Sequence, residues 1–207
     1  MIDNFDKIRE LLSFRSDDDF YFIQVLQRKK DHAPKKVNGS NNNSRLIKPY
    51  YVGSLEYYDF IKPEIIELCK LFNARAGINL NRRSYEQMSL QLLRKVADQI
   101  MNKSFKHSYK AYPSVVGAYN HETDKRWIID VDVKDSGLVR KLWELIDMIR
   151  PFGEKKEITT LPSKSGYHMI SRPFDLKQFN ETLEEWAFLK KEIPGIHKNN
   201  PTNLYIP

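Results

Sequence analysis

The chain has 207 residues, 41% of them hydrophobic and 12% aromatic, so it can bury a sizeable core, and general disorder is excluded. No apolar run is long enough to span a membrane, and the opening MIDNFDKIRELL is acidic and amphipathic, without the apolar centre of a secretory signal. Cys69 is the only cysteine, which excludes an internal disulfide and a multi-cysteine zinc site and fits a reducing cytoplasm; the formal net charge is +7.

Taken in chain order, residues 3–15 read as an amphipathic helix with Ile8, Leu11 and Leu12 on one side. FYFIQVLQR (20–28) is aromatic and β-branched and predicts a strand, followed by a polar, basic, Asn-rich loop. RLIKPYYVGSLEYY (45–58) predicts a ragged strand interrupted by Pro49 and Gly53, and Pro63 fits the first turn of a helix reaching about Phe72. Cys69 lies among helix-period apolar residues there, as a buried structural thiol would. ARAGINL (74–80) predicts a short strand. Ser84 with Gln87 three residues later resembles a capping box that opens a long helix carrying Met88, Leu92, Val96 and Met101.

Residues 104–114 read as a loop, RWIIDVDV (126–133) as the strongest strand, and SGLVRKLWELIDMI (136–149) as the helix after it, with Asp135 as its cap or a turn residue. Two strands joined around Ser163 to Gly166 fill 157–174; a helix over about 176–191 and a strand at 203–206 close the sequence. Trp127, Trp143 and Trp186 fall on apolar faces and are read as core. The pattern predicts a single α+β domain over 1–207, with a mixed, largely antiparallel sheet covered by helices. It divides into an N-terminal αβ part (1–115, with a basic loop at 29–45) and a part carrying the polar motifs (116–207).

Charge is unevenly placed. Residues 24–48 hold seven Lys/Arg against Asp31, and residues 70–110 hold nine against Glu86 and Asp98, so these stretches carry +13 and the remainder −6. Such segregation points to a polyanion bearing phosphates, against a basic surface that serves solubility alone. Lys29, Lys30, Lys35 and Lys36 would touch a nucleic-acid backbone. Arg75, with Arg82 and Arg83 in the turn before a helix N-terminus, would touch template or triphosphate, or else form an exposed basic turn. Tyr50, Tyr51, Tyr57 and Tyr58 offer stacking faces for single-stranded bases, with at least half of them packing instead.

Strand alternation puts Asp130 and Asp132 on one face, where their mutual repulsion invites a divalent cation; the alternative is a pair of solvated acids on an edge strand. Ser163, Lys164 and Ser165 form a small, flexible turn whose backbone N–H groups could approach an anion, and His168 just beyond adds a donor. Arg172 follows on the same face pattern as His168 and could also meet phosphate.

WIIDVDV (127–133) followed by a helix and then SKSGYHMI (163–170) resembles the archaeo-eukaryotic primase and primase-polymerase superfamily. The resemblance covers the second half of the chain. It implies an RRM-like sheet and a nucleotidyltransferase in which Asp130 and Asp132 hold catalytic Mg²⁺ or Mn²⁺ and His168 contacts the phosphates of a nucleoside triphosphate. The nucleic acid expected is a single-stranded template. A chain this small is expected to work with replication partners encoded elsewhere, in a cytoplasmic setting that is bacterial or belongs to a virus or mobile element. That superfamily adds a third acid, for which Asp175 is the candidate. Two other readings stay open: a non-catalytic single-stranded nucleic-acid-binding module, and a metal-dependent nuclease using the same acids.

Overall fold

The computed structural model describes residues 1–28, 44–106, 108–185 and 194–207; Lys29, Lys30, Lys35, Lys36 and Trp186 lie outside the described residues. In chain order the elements are β1 (Ile2–Asp3), α1 (Phe5–Arg9), β2 (Asp19–Gln27), β3 (Arg45–Val52), α2 (Leu55–Leu71), β4 (Arg75–Ser84), α3 (Tyr85–Met101) and α4 (Ala111–Ala118). These are followed by β5 (Trp127–Val131), α5 (Ser136–Asp147), β6 (Glu157–Pro162), β7 (Tyr167–Ser171), α6 (Leu176–Glu185), β8 (Gly195–His197) and β9 (Thr202–Ile206). The chain is α+β and forms two antiparallel sheets in two compact units, Met1–Glu122 with Pro201–Pro207, and Thr123–Asn200. No helix among the described residues is long and apolar enough to cross a membrane.

The first unit is built on a five-stranded sheet of order β1-β9-β4-β2-β3. Alternation along β2 sends Phe20 and Phe22 to one face, where they pack with Met88 of α3 and Val115 and Val116 of α4. Tyr21, Ile23 and Val25 are buried as well, and α2 lies against β2, β3, β4 and β9. A strand buried on both faces reads as the near-continuous apolar run seen at 20–26, broken only by Gln24.

Four local expectations change in this unit. The opening helix is one short turn and a half, Phe5–Arg9, because Ile2 and Asp3 instead pair with Ile206 and Tyr205 of β9. α2 starts at Leu55 rather than Pro63, because the Ser54 side chain accepts from the Tyr57 backbone N–H at 3.1 Å and caps the helix eight residues earlier. β4 runs on through Arg82 and Arg83, so these are strand residues and not a turn. Residues 111–118 form α4 where a loop is expected to continue to 114. The Ser84 cap on α3 is present, accepting from Gln87 N–H at 3.0 Å. Cys69 is fully buried, and burial pushes its thiol up to about 12.

The second unit runs β5-α5-β6-β7-α6-β8, with strand order β6-β7-β5-β8. Trp127, Ile129, Val131 and Met169 share one face and form a core with Leu142, Trp143 and Ile146 of α5 and Phe179 and Leu183 of α6. Both helices therefore cover the same side. Asp135 caps α5, accepting from Gly137 and Leu138 N–H at 2.8 and 3.1 Å, so it is spoken for as a helix cap.

Candidate active site

The opposite face of that sheet carries the polar residues. Asp130 of β5 and His168 of β7 are direct partners in the antiparallel register, and Ile128 and Ile170 pair beside them on the same face. His168 Nε2 lies 3.3 Å from Asp130 Oδ1; the imidazole is nearly buried and the carboxylate is about one-third exposed. The pair is close because cross-strand neighbours on one face sit only about 5 Å apart at Cβ.

What holds the register is a glycine. Ser163 and Gly166 close the β6–β7 turn reciprocally: Ser163 N–H donates to Gly166 O at 2.9 Å, and Gly166 N–H donates to Ser163 Oγ at 3.0 Å. Gly166 also presses on the end of β5, where a Cβ would lie 2.0 Å from Val131 O and 2.6 Å from both Val133 N and Val133 O. No side chain fits there without displacing backbone. The turn and the Asp130–Asp132 segment are thus locked together, with Lys164 and Ser165 exposed at the tip and Ser163 buried beneath them. The Ser163 hydroxyl builds the turn; Lys164 is the side chain that reaches outward.

The strand ladder ends at Val131, paired with Tyr167, so Asp132 stands one residue beyond it and is exposed. The expected strand to residue 133 stops short because the partner position of Asp132 is Gly166, where the other chain turns away.

Arg172 and Asp175 are not brought to this end. Ser171 pairs with Trp127, so Arg172 leaves β7 at the far end of β5, about 13 Å along the strand from His168 at 3.3 Å per residue. There its Nε lies 3.8 Å from Asp124 and it donates to Lys155 O at 3.3 Å. Asp175 caps α6, accepting from Lys177 and Gln178 N–H at 3.0 and 3.1 Å, and pairs with Arg150 at 2.8 Å. The Gln178 N–H is the main reason its carboxyl sits below the usual range.

The arginines of β4 turn inward. Arg82 makes a two-pronged bond to Glu122, at 2.6 and 2.9 Å, with Asp19 at 3.7 Å, all three buried. Arg83 is wholly buried, donates to Val116 O at 3.0 Å and also bonds Asn81 O, and burial lowers its guanidinium to about 10. Arg75 is buried at the start of the same strand. None of the three is presented at the surface, contrary to the basic turn the sequence suggested. Of the tyrosines, Tyr50 and Tyr58 are core, Tyr51 stacks on Phe22 with ring centres 5.4 Å apart, and Tyr57 is exposed beside Phe60.

His197 was not singled out by sequence reasoning. β8 pairs with β5 so that Gly195 faces Asp130 and His197 faces Ile128, which puts His197 on the same face as Asp130 and His168. Its Nε2 lies 3.3 Å from where a Gly195 Cβ would be, and that point is 3.9 Å from Asp130 Cβ. A three-residue strand with glycine at its start gives no period-two signal, so nothing marked it.

No family model, curated protein or solved structure matches the chain.

Among the described residues no group of three or more His, Cys, Asp and Glu side chains is arranged as a metal cage. The potential donors on this face are the Asp130 carboxylate and the His168 and His197 imidazoles, with the exposed Asp132 carboxylate just beyond the strand end. Carboxylates are the ligand type a hard divalent cation such as Mg²⁺ takes, with phosphate oxygens and water completing its shell.

Proposed function

We propose that the chain is a primase-polymerase-like nucleotidyltransferase whose catalytic sheet is the RRM-like β5-α5-β6-β7-α6-β8 unit. The observation that carries this reading is the direct pairing of Asp130 with His168, on the sheet face away from the helices, with Gly166 fixing the turn against residues 131–133. The two short motifs that resemble the superfamily are distant in sequence and adjacent in space. Mg²⁺ or Mn²⁺ held by Asp130 and Asp132 would, when bound, stabilise the charge that develops on a transferred phosphoryl group. His168 supplies an imidazole donor for a phosphate oxygen, and Lys164 supplies positive charge from the exposed turn. The substrates of this reading are a nucleoside triphosphate and a single-stranded template, with replication proteins as partners.

Asp130→Asn is expected to abolish template-directed nucleotide incorporation while the unfolding temperature stays within a few degrees of wild type. Sustained synthesis by a folded Asp130→Asn protein would overturn the reading. A second reading, a nucleic-acid-binding module without catalysis, is favoured by one observation: Asp175 is engaged as a helix cap and with Arg150, which leaves two acids at the site. Oligonucleotide binding that survives EDTA, with no incorporation of any nucleotide, selects it.

A further inference from the structure

β5 lies between β7 and β8, so Asp130 has two cross-strand partners on its own face, His168 of β7 and Gly195 of β8. Gly195 has no side chain, and the space it leaves is taken from two residues further on. The His197 imidazole leans back along β8, with Nε2 3.3 Å and Cε1 3.7 Å from where a Gly195 Cβ would stand. That same point is 3.9 Å from Asp130 Cβ. Asp130 is thus flanked by an imidazole on either side. His197 is half-buried, and among the described residues it has no hydrogen-bond or ion-pair partner. Its strand neighbour Ile196 packs into the helix-side core, while His197 faces away from it. An imidazole carries an N–H donor in either protonation state, so His197 has a donor that the fold does not use.

We infer that His197 is a further nucleotide-binding residue, donating to a phosphate oxygen of the bound nucleoside triphosphate from the side opposite His168, and that Gly195 is what lets it lean there. The inference rests on the function proposed above. The arrangement selects phosphate over metal. Among the described residues no three His, Cys, Asp and Glu side chains form a metal-holding group, and imidazole is a poorer ligand for Mg²⁺ than carboxylate or phosphate oxygen. Asp175, the acid expected to join the site, is engaged at α6, so what stands beside Asp130 on β8 is a donor and not another carboxylate.

The test uses the full chain with fluorescently labelled ATP and dATP in the presence of Mg²⁺, read by anisotropy. His197→Ala is expected to weaken triphosphate binding by at least about tenfold, the loss of one hydrogen bond to a charged group, with an unchanged thermal melt. His197→Gln keeps an N–H donor at similar reach and should recover most of that loss. Gly195→Ala is the sharper variant. Its methyl group would stand 3.3 Å from His197 Nε2, so the ring must move off while the exposed strand residue keeps its place. Binding should weaken by at least about threefold without loss of stability, and this comparison serves if His197→Ala fails to fold. Unchanged triphosphate affinity in folded His197→Ala or Gly195→Ala protein overturns the inference and leaves the proposed function standing. Wild-type protein that binds neither triphosphate overturns the proposed function and this inference with it. Mn²⁺ alone, followed by electron paramagnetic resonance, should bind wild type and His197→Ala equally. A loss there comparable to the loss for triphosphate makes His197 a metal ligand and overturns the phosphate assignment.

Discussion

Gly166 shows how much one residue can fix. Its α-carbon approaches the backbone of residues 131–133 so closely that even a methyl group collides with main-chain atoms, which cannot rotate aside as a side chain can. Gly166→Ala is expected to cost at least about 2 kcal/mol in urea unfolding, at the upper part of the overpacking range. Because the same contact aligns Asp130 with His168, the proposed function further predicts that nucleotide incorporation falls more in Gly166→Ala than the loss of stability alone explains. Other single residues set the response to acid. The Ser84 hydroxyl holds the Asp18 carboxyl below its ordinary value, Arg9 does so for Asp59, and the Gln178 N–H for Asp175. A carboxyl lowered by folding adds stability above its unfolded value and loses it as pH falls through the folded one. Thermal midpoints are therefore expected to drop as pH is taken below about 4, and Asp18→Asn should flatten part of that slope.

Elements were legible wherever a short-range signal stated their limits. Asp135 and Ser84 are side chains whose oxygens reach their own helix, and both caps appear where the sequence puts them. Asp135→Ala should lower stability by about 1 kcal/mol, read from the shift in denaturant midpoint at constant slope. The β5 and β7 strands and the turn between β6 and β7 were legible for a similar reason, since β-branched runs bounded by small polar residues have few alternatives. Pro63 misled because a proline suits a first turn, yet Ser54 upstream supplies a stronger start. Arg82 and Arg83 misled because two adjacent arginines read as exposed; their burial depends on Glu122 and Val116, about 40 and 33 residues away, which no local window contains. The core of the candidate site, Asp130 and His168, was legible as a pair of motifs. Arg172 and Asp175 were not excluded by sequence, because only the strand register places them at the other end of β7.

At the scale of the whole molecule, the two sheets replace the one sheet expected, and the chain does not pass from one unit to the other only once. β9 lies between β1 and β4, so residues from both ends of the sequence complete the first sheet. Leu204, Tyr205 and Ile206 are buried there. Removing residues 201–207 would strip β1 of its partner and bare the edge of β4. That truncation is expected to lower the unfolding temperature measured by far-UV circular dichroism by far more than the loss of seven surface residues would, and an unchanged midpoint would contradict the placement of β9.

The same return of β9 dictates an order of events during translation. The residues of the second unit, 123–200, are contiguous and all leave the ribosome before Thr202 does. Its sheet can close while the slot between β1 and β4 is still empty, so the first unit is begun before the second and completed after it. Until Thr202–Ile206 emerge, the nascent chain displays an unpaired β4 edge, a period in which a chaperone has something to protect.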